Sequence, residues 1–291
     1  MTSTEKVVPS HRMIGLALSG GGARGLAHIG VLKVLQREGI EVDCLAGTSM
    51  GGVVAACYAA GLSLDSMEQE ALRLASARRL LAMVDRSMPR RGLFAGRRVS
   101  EHLAAFMGER SFDDLRIPLT LVAVDLNSGS EVYLCQGSVL EAVRATISVP
   151  GIFSPVERDG QMLVDGGLLE NIPVDAVRRM GADVVIAVDV TTDGQSFFNS
   201  YPTRHRRRYV PNGLADAMDV LGRSVTLMIA EISRLRMAQA PPDVIIRPAM
   251  PQEMTAFGGF SCAADLIGYG EQAAAEALPR IRKALAGASP M

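Results

Sequence analysis

The chain contains no tryptophan, and aromatic residues make up only 4% of it. Many proteins that bind single-stranded nucleic acid stack the bases on exposed aromatic rings, so this scarcity argues against such a surface. Neither sign of charge is in excess, because 30 Lys and Arg residues face 31 Asp and Glu residues. No global charge therefore attracts nucleic acid or membranes, and any electrostatic partner must be met by a local patch. We expect no nucleic-acid partner.

Cysteine and histidine are also scarce, with four residues of each type. The cysteines show no Cys-x-x-Cys spacing, and neither residue type approaches the spacing of a metal site. We therefore expect neither a metal nor a cofactor. Three of the cysteines lie in apolar contexts typical of buried free thiols, which favours a reducing compartment.

Long hydrophobic runs are missing as well, since none approaches the ~20 residues that cross a bilayer. The apolar stretch Met13–Leu18 near the N-terminus is too short for the core of a secretory signal and fits a first strand. We expect the protein in the cytoplasm or peripherally at the inner membrane surface. The oligomeric state stays open.

An alternation of strand and helix patterns organises the rest of the chain. Strand patterns fall at Met13–Leu18, Asp43–Ala46, Pro118–Asp125, Glu131–Leu134, Met162–Val164, Asp183–Val190 and Asp243–Arg247. Helical patterns run from Leu26 to Leu35 with a stop at Gly39, and over Val53–Ala60, Ser66–Leu81, Ser100–Phe106, Val139–Thr146, Val174–Met180, Leu214–Ala238 and Ala263–Leu285. This alternation predicts an α/β fold with a mainly parallel central sheet flanked by helices on both faces. A hydrophobic content of 48% suffices for one domain over residues 1–291.

Two basic stretches, Val84–Arg98 and Thr191–Asn212, show neither pattern. Such a charged stretch is usually a solvated loop. Within the first stretch, however, arginine pairs flank Leu93 and Phe94, as in segments that lie at a membrane interface. Peripheral membrane contact through Val84–Arg98 is therefore the alternative to a solvated loop.

The pentapeptide Gly47-Thr48-Ser49-Met50-Gly51 lies between a short apolar run and an Ala-rich helical stretch. A Gly-x-Ser-x-Gly sequence in this position is typical of a nucleophile elbow, in which a sharp strand-to-helix turn exposes a serine hydroxyl. Glycines at 47 and 51 fit the tight bend on either side. Ser49 is therefore the candidate nucleophile.

A second glycine-rich loop, from Gly20 to Gly25, follows the first strand and precedes a helix. We expect the loop of Gly20, Gly21, Gly22 and Arg24 to form an oxyanion hole, with backbone N–H groups of Gly21 and Gly22 as donors. Arg24 would steady the loop or contact anionic head groups. The loop also fits the dinucleotide-binding fingerprint, which requires an acidic residue at the carboxyl end of the next strand. That end carries Gly47-Thr48-Ser49 instead, so the fingerprint is a poor match.

Asp165, in Asp165-Gly166-Gly167, is the candidate base, although Asp-Gly-Gly is also common in turns. In α/β-hydrolases a histidine follows the acid along the chain, and here only His205 does so, within an arginine run that disfavours a basic imidazole. A Ser–Asp dyad therefore explains the sequence better than a triad. Asp165 would take the Ser49 proton directly.

Together these segments resemble the patatin-like phospholipases, a family of lipid acyl hydrolases with a Ser–Asp dyad. The resemblance covers about residues 13–190 and includes Ser148-Val149-Pro150-Gly151-Ile152-Phe153-Ser154-Pro155 and Asn171-Ile172-Pro173. It is similar to the compact bacterial type and implies a patatin-like sheet. It also implies a serine esterase acting through an acyl-enzyme on fatty-acyl esters of phospholipids or lysophospholipids, hence a role in lipid degradation. Two alternatives are a regulatory or adaptor protein of the same fold and an esterase for small soluble esters.

Overall fold

A computed structural model describes residues 12–76, 85, 94–191, 212–251 and 259–287, with backbone only for 212–219. The eight strands are β1 (Ile14–Leu18), β2 (Cys44–Thr48), β3 (Leu119–Asp125), β4 (Ser130–Leu134), β5 (Val156–Arg158), β6 (Gln161–Asp165), β7 (Val184–Val188) and β8 (Val244–Ile246). The helices are α1 (Ala27–Arg37), α2 (Met50–Ala59), α3 (Leu64–Leu74), α4 (Arg97–Met107), α5 (Val139–Thr146), α6 (Val174–Arg179), α7 (Asn212–Gln239) and α8 (Ala263–Leu285). No helix among the described residues is long and apolar enough to cross a membrane.

The eight strands form one sheet whose larger part is parallel, which confirms the predicted fold class. Strands β3, β2, β1, β7 and β8 are neighbours in this order and run parallel. Strands β4 and β6 are antiparallel to β3, and β5 is antiparallel to β6. The sequence patterns did not predict β5 or these antiparallel pairings.

The register of β3 determines where the ends of β2 and β6 meet. At Val122, strand β3 pairs with β4 and with Thr48 of β2, while at Ala123 it pairs with β4 and with Asp165 of β6. Because a strand has only two edges, β4 occupies one edge of β3, and β2 and β6 share the other. The carboxyl ends of β2 and β6 therefore meet end to end along one edge of β3.

Both faces of the sheet are covered, as continuous apolar strands require. Leucine, isoleucine and valine side chains from one face join the larger core cluster with helices α1, α2, α5 and α8. The other face carries the small side chains of Ala17, Ala46 and Ala187 and packs against α6 and Met237 of α7. These small side chains let α6 lie close to the sheet.

Several boundaries differ from the sequence-based prediction, most clearly in three helices. Helix α2 begins at Met50 rather than at Val53, and α3 spans Leu64–Leu74, with the predicted extension to Leu81 partly outside the described residues. Helix α4 begins at Arg97, inside the stretch that we expected to be irregular. The N–H groups of Gly96, Arg97 and Arg98 donate hydrogen bonds to the buried Asp85 carboxylate. Asp85 therefore caps α4 from a position eleven to thirteen residues earlier in the chain.

Candidate active site

Ser49 lies in the turn between β2 and α2, at the edge of β3 described above. Its backbone angles are φ 53° and ψ −126°, a conformation that non-glycine residues rarely adopt and that stores strain. A side chain at Gly51 would collide with the carbonyl oxygen of Leu18, and one at Gly47 would lie 2.5 Å from the Gly52 Cα atom. The strained serine between two close-packed glycines has the geometry of a nucleophile elbow.

Thr146, at the end of α5, stabilises this turn through two hydrogen bonds. The Ser49 N–H donates to the Thr146 hydroxyl oxygen at 2.9 Å, and the Thr146 hydroxyl donates to the Val122 carbonyl at 2.6 Å. Thr146 is fully buried. No sequence motif marks Thr146, and the only signal for it is its position directly ahead of the Ser148–Pro155 stretch.

Asp165 ends β6, and its carboxylate faces the Ser49 hydroxyl. The side chain is only 6% exposed. It accepts hydrogen bonds from the Ser49 hydroxyl and from the Gly167 N–H, the latter at 2.8 Å. Burial raises the pKa of Asp165 to about 6, although both hydrogen bonds act in the opposite direction. A carboxylate with this pKa is ionised at neutral pH and is a stronger base than an exposed aspartate.

A second Ser–Asp pair in the chain provides a contrast. The Ser128 hydroxyl donates to Asp125 at 2.8 Å in the β3–β4 turn. There the Met162 N–H and other donors hold the pKa of Asp125 below its usual value. A hydrogen bond from a serine to an aspartate therefore does not by itself mark a candidate catalytic pair. The raised pKa of Asp165 distinguishes its pair with Ser49 from the pair of Ser128 and Asp125.

The glycine loop lies against the nucleophile. A Cβ atom at Gly20 would lie 3.2 Å from the Ser49 Cβ and 2.5 Å from the Asn171 Oδ1. The Gly20 N–H donates to the Asn171 carbonyl at 3.0 Å, so it is not available as an oxyanion donor. Gly21 and Gly22 are partly exposed and begin a 3₁₀ turn over Gly22–Leu26, where the first N–H groups have no partner within the turn. They remain the candidate donors.

The side chain of Arg24, in the same loop, is buried. Burial lowers the pKa of its guanidinium, whereas the charge of Asp189 raises it. Asp189 accepts hydrogen bonds from the Thr191 N–H at 3.0 Å and from the Arg247 Nε at 3.0 Å. A buried guanidinium beside a carboxylate is placed to steady the loop, which favours the first of the two roles expected for Arg24.

The histidines occupy other positions. His28 is buried, its Nε2 lies 2.8 Å from the Ser19 carbonyl, and burial lowers its pKa to about 4. His102 on α4 lies 3.1 Å from Glu70. His205 falls outside the described residues. Of the histidines that the structure describes, neither is hydrogen-bonded to Ser49 or Asp165.

The Ser148–Pro155 stretch links Asp165 to the end of the Val84–Arg98 segment. The Ser148 carbonyl accepts the Asp165 N–H at 3.0 Å. Phe94 lies opposite Phe153 in a parallel bridge, in which its N–H donates to the Ile152 carbonyl and its carbonyl accepts from the Ser154 N–H. Arg144 donates to the Ser148 hydroxyl at 2.6 Å and stacks over the Phe153 ring. The described end of the basic segment is therefore close to the candidate site. Val84 and residues 86–93 lie outside the described residues.

No group of three or more His, Cys, Asp or Glu side chains in the described ranges could hold a metal ion. The site as described consists of a serine, a buried carboxylate and backbone donors. These groups are the parts that acyl transfer requires.

Comparisons with known proteins show which family the chain is similar to. A family model described as Patatin-like phospholipase matches residues 16–178. An uncharacterized NTE family protein of Mycobacterium bovis is 38% identical over 177 residues, which are 61% of this chain and 49% of that protein. The neuropathy target esterase of Drosophila melanogaster is 33% identical over 192 residues, which are 65% of this chain and 14% of that protein. This chain thus spans about half the length of the first relative and far less of the second.

Among solved structures, VipD from Legionella pneumophila aligns with a TM-score of 0.42 and 12% identity, covering 90% of this chain and 67% of its own.

Proposed function

The chain belongs to the patatin-like phospholipase family, and on this premise we propose that it is a serine hydrolase for fatty-acyl esters of phospholipids or lysophospholipids. The observation that carries the proposal is the hydrogen bond from the strained Ser49 to the buried, pKa-raised Asp165. Family membership supports lipid hydrolysis in general. The phospholipid or lysophospholipid substrate is the more specific part of the proposal.

In the proposed first step the Ser49 hydroxyl oxygen attacks the ester carbonyl carbon while Asp165 accepts the hydroxyl proton. The negative charge then develops on the former carbonyl oxygen. The N–H groups of Gly21 and Gly22 are the proposed donors to this oxyanion. When the carbon–oxygen bond to the alcohol breaks, Asp165 returns the proton to the leaving alcohol, and an acyl-Ser49 ester remains.

In the second step water attacks the acyl-enzyme carbonyl and Asp165 accepts a proton from that water. Collapse of the second oxyanion breaks the bond to the Ser49 oxygen, which takes the proton back from Asp165. The fatty acid leaves and the dyad is restored. One carboxylate thus acts alternately as general base and general acid, as its raised pKa favours.

Membrane contact through Val84–Arg98 and a location in the cytoplasm or at the inner membrane surface belong to the same proposal. The pairing of Phe94 with Phe153 supports a position near the site mouth for the described end of the segment. The arginines at 90 and 91 lie outside the described residues, so their part in this contact stays a prediction.

A fluorophosphonate probe tests the proposal, because it reacts covalently only with an activated serine. The wild-type chain should be labelled at Ser49, and Ser49→Ala should not be labelled. Ser128→Ala is the matched control, since Ser128 is also bonded to an aspartate, and it should be labelled like wild type. A folded wild-type chain that resists labelling would favour the adaptor alternative. A substrate series of increasing acyl length would identify an esterase for small soluble esters by its preference for the short members.

A further inference from the structure

The segment Leu169–Asn171 lies between the turn that follows Asp165 and helix α6. Each of its three carbonyl oxygens accepts a hydrogen bond from a different part of the chain: from the Arg236 side chain at 2.8 Å, from the Thr48 hydroxyl at 2.9 Å and from the Gly20 N–H at 3.0 Å. Thr48 directly precedes the candidate nucleophile, and Gly20 begins the glycine loop. One short segment is therefore bonded to the elbow and to the glycine loop, and it directly follows the turn of the candidate base.

This segment is buried and packs tightly against the site. Glu170 is 1% exposed and Asn171 is 6% exposed. The Glu170 N–H donates to the Gly166 carbonyl at 2.9 Å. A Cβ atom at Gly20 would lie 2.5 Å from the Asn171 Oδ1 atom, and one at Gly167 would lie 2.8 Å from it. The Asn171 carboxamide thus packs directly against the glycine loop and against the turn after the candidate base.

The carboxylate of Glu170 anchors the segment to the rest of the fold. Its Oε1 atom accepts a hydrogen bond from the Ala176 N–H at 3.2 Å, and its Oε2 atom accepts one from the Tyr133 hydroxyl at 2.8 Å. Ala176 is buried in α6, and Tyr133 lies on β4, which pairs with β3. Neither of these hydrogen bonds involves Ser49, whose hydroxyl donates to Asp165. The contacts of Glu170 are therefore those of an anchor and not those of a base.

We propose that Glu170 is a positioning residue for the proposed hydrolysis. Its carboxylate fixes the Leu169–Asn171 segment, and the carbonyls of that segment hold the elbow and the glycine loop in their relative positions. This inference rests on the proposed function and deepens it, because it adds a residue that acts through others and touches neither the ester nor the reacting atoms. Its effect on rate follows from geometry, since a displacement of about 1 Å in a reacting group can cost about a hundredfold.

Two substitutions at Glu170 separate anchoring from charge. Glu170→Ala should lower kcat for a soluble ester about tenfold or more and leave KM nearly unchanged, because the groups that it displaces act in the chemical step. Glu170→Gln should recover most of the kcat, since its oxygen can accept from the Ala176 N–H and its NH₂ group can donate to the Tyr133 oxygen. An equal loss of kcat in both variants would overturn the proposal.

The pH profile of the glutamine variant tests the rival role of Glu170 as a base. The kcat/KM of Glu170→Gln should still be half-maximal at about pH 6, because Asp165 remains the titrating group. A profile that loses this step would assign the titration to Glu170 and overturn the positioning role.

Glu70→Ala is the matched control for a loss of stability. Glu70 is also buried, and its carboxylate bonds to Arg73 at 2.9 Å and lies 3.1 Å from His102. It lies on α3, which carries none of the candidate site residues. Both alanine variants leave polar groups without a partner and should unfold at lower urea concentration, but only Glu170→Ala should lose kcat. Equal kcat losses in the two variants would contradict the proposal.

Hydrogen exchange of the Gly20 amide, followed by NMR, tests the anchoring without any turnover. This N–H bonds to the Asn171 carbonyl, so it reports directly on the segment. It should exchange about tenfold faster or more in Glu170→Ala than in wild type, and close to the wild-type rate in Glu170→Gln and Glu70→Ala. An unchanged Gly20 exchange rate in folded Glu170→Ala would overturn the proposal. If Glu170→Ala does not fold, Tyr133→Phe removes only one of the two anchoring bonds and should speed this exchange about fivefold.

The two proposals can fail separately in this design. A wild-type chain with neither ester turnover nor fluorophosphonate labelling would refute the proposed hydrolysis, while the Gly20 exchange rates would still decide whether Glu170 anchors the segment. A reactive Ser49 together with Gly20 exchange that is independent of Glu170 would refute the positioning role and leave the hydrolysis in place.

Discussion

Asp165 gives a prediction in which activity and stability change in opposite directions. Burial raises the pKa of Asp165 from 3.8 to about 6, against the effect of its hydrogen bonds with Ser49 and Gly167. The proposed base works only when ionised, and about a tenth of it is ionised at pH 5 compared with about nine-tenths at pH 7. The kcat/KM for a soluble ester should therefore fall about tenfold per pH unit below pH 6 and become level above pH 7.

The same raised pKa affects the free energy of unfolding. Because the pKa of the folded state lies above that of the unfolded chain, proton binding stabilises the folded state. This contribution is complete below about pH 3.8 and is lost as the pH rises through about 6. The difference between a pKa of 3.8 and one of about 6 corresponds to about 3 kcal/mol. The ionised Asp165 therefore destabilises the fold at neutral pH.

Asp165→Asn keeps the shape and the hydrogen-bond acceptor but cannot ionise. We expect this variant to be inactive and yet more stable than wild type at pH 7, by up to about 3 kcal/mol. The gain should shrink as the pH falls from 7 to 4, where the wild-type carboxyl becomes neutral as well. Urea unfolding followed by circular dichroism at several pH values in this range measures the difference.

The exposed Asp159 provides the control. Its side chain is 84% exposed, and its φ of 51° lies in a region that asparagine also tolerates. Asp159→Asn should change the free energy of unfolding by less than about 0.5 kcal/mol at every pH. If Asp165→Asn instead lowers the stability at pH 7, or changes it equally at pH 7 and pH 4, the raised pKa is wrong. Near wild-type turnover in this variant would refute Asp165 as the base.

Three further predictions concern Ser49, the histidines and Thr146. Ser49→Ala should lower ester hydrolysis by ~10⁴-fold or more, measured as kcat, and residual activity near wild type would contradict its role as nucleophile. His28→Gln, His102→Gln and His205→Gln should each retain turnover, and a folded histidine variant as inactive as Ser49→Ala would exclude the dyad. Thr146→Val should lower kcat and destabilise the fold by about 1–3 kcal/mol in urea unfolding, because it leaves the partly buried Ser49 N–H without an acceptor. A Thr146→Ser variant should recover most of both losses, since it keeps the hydroxyl.

Parts of the candidate site have a signature in the local sequence. The strand-to-helix turn at Ser49 has a local signature, because a strained serine there depends on the glycines beside it. The alternation of strands and helices likewise predicted the parallel part of the sheet. A single domain over 1–291 stays a prediction, which β8 and α8 support by joining the same sheet and core.

Several of the features that were missed depend on tertiary contacts. Thr146 supports a turn 97 residues away, and Asp85 caps α4 from outside any local capping pattern. The N–H of Gly20 is used by Asn171, 151 positions later in the sequence. Neither composition nor periodicity specifies such partners, because they follow from tertiary packing and not from the residues next to them.

Strand pairing also explains how a dyad without histidine can be assembled. An aspartate can take the serine proton directly only if its carboxylate lies within hydrogen-bonding distance of the hydroxyl. Strands β2 and β6 meet end to end on one edge of β3, with Thr48 opposite Val122 and Asp165 opposite Ala123. The next residue after Thr48 is Ser49, so two adjacent positions of β3 set the separation of the pair. A shift of β6 by one residue would turn Asp165 to the opposite face of the sheet. The antiparallel pairing of β6, which the sequence patterns did not predict, is therefore the element of the fold on which the proposed chemistry depends most directly.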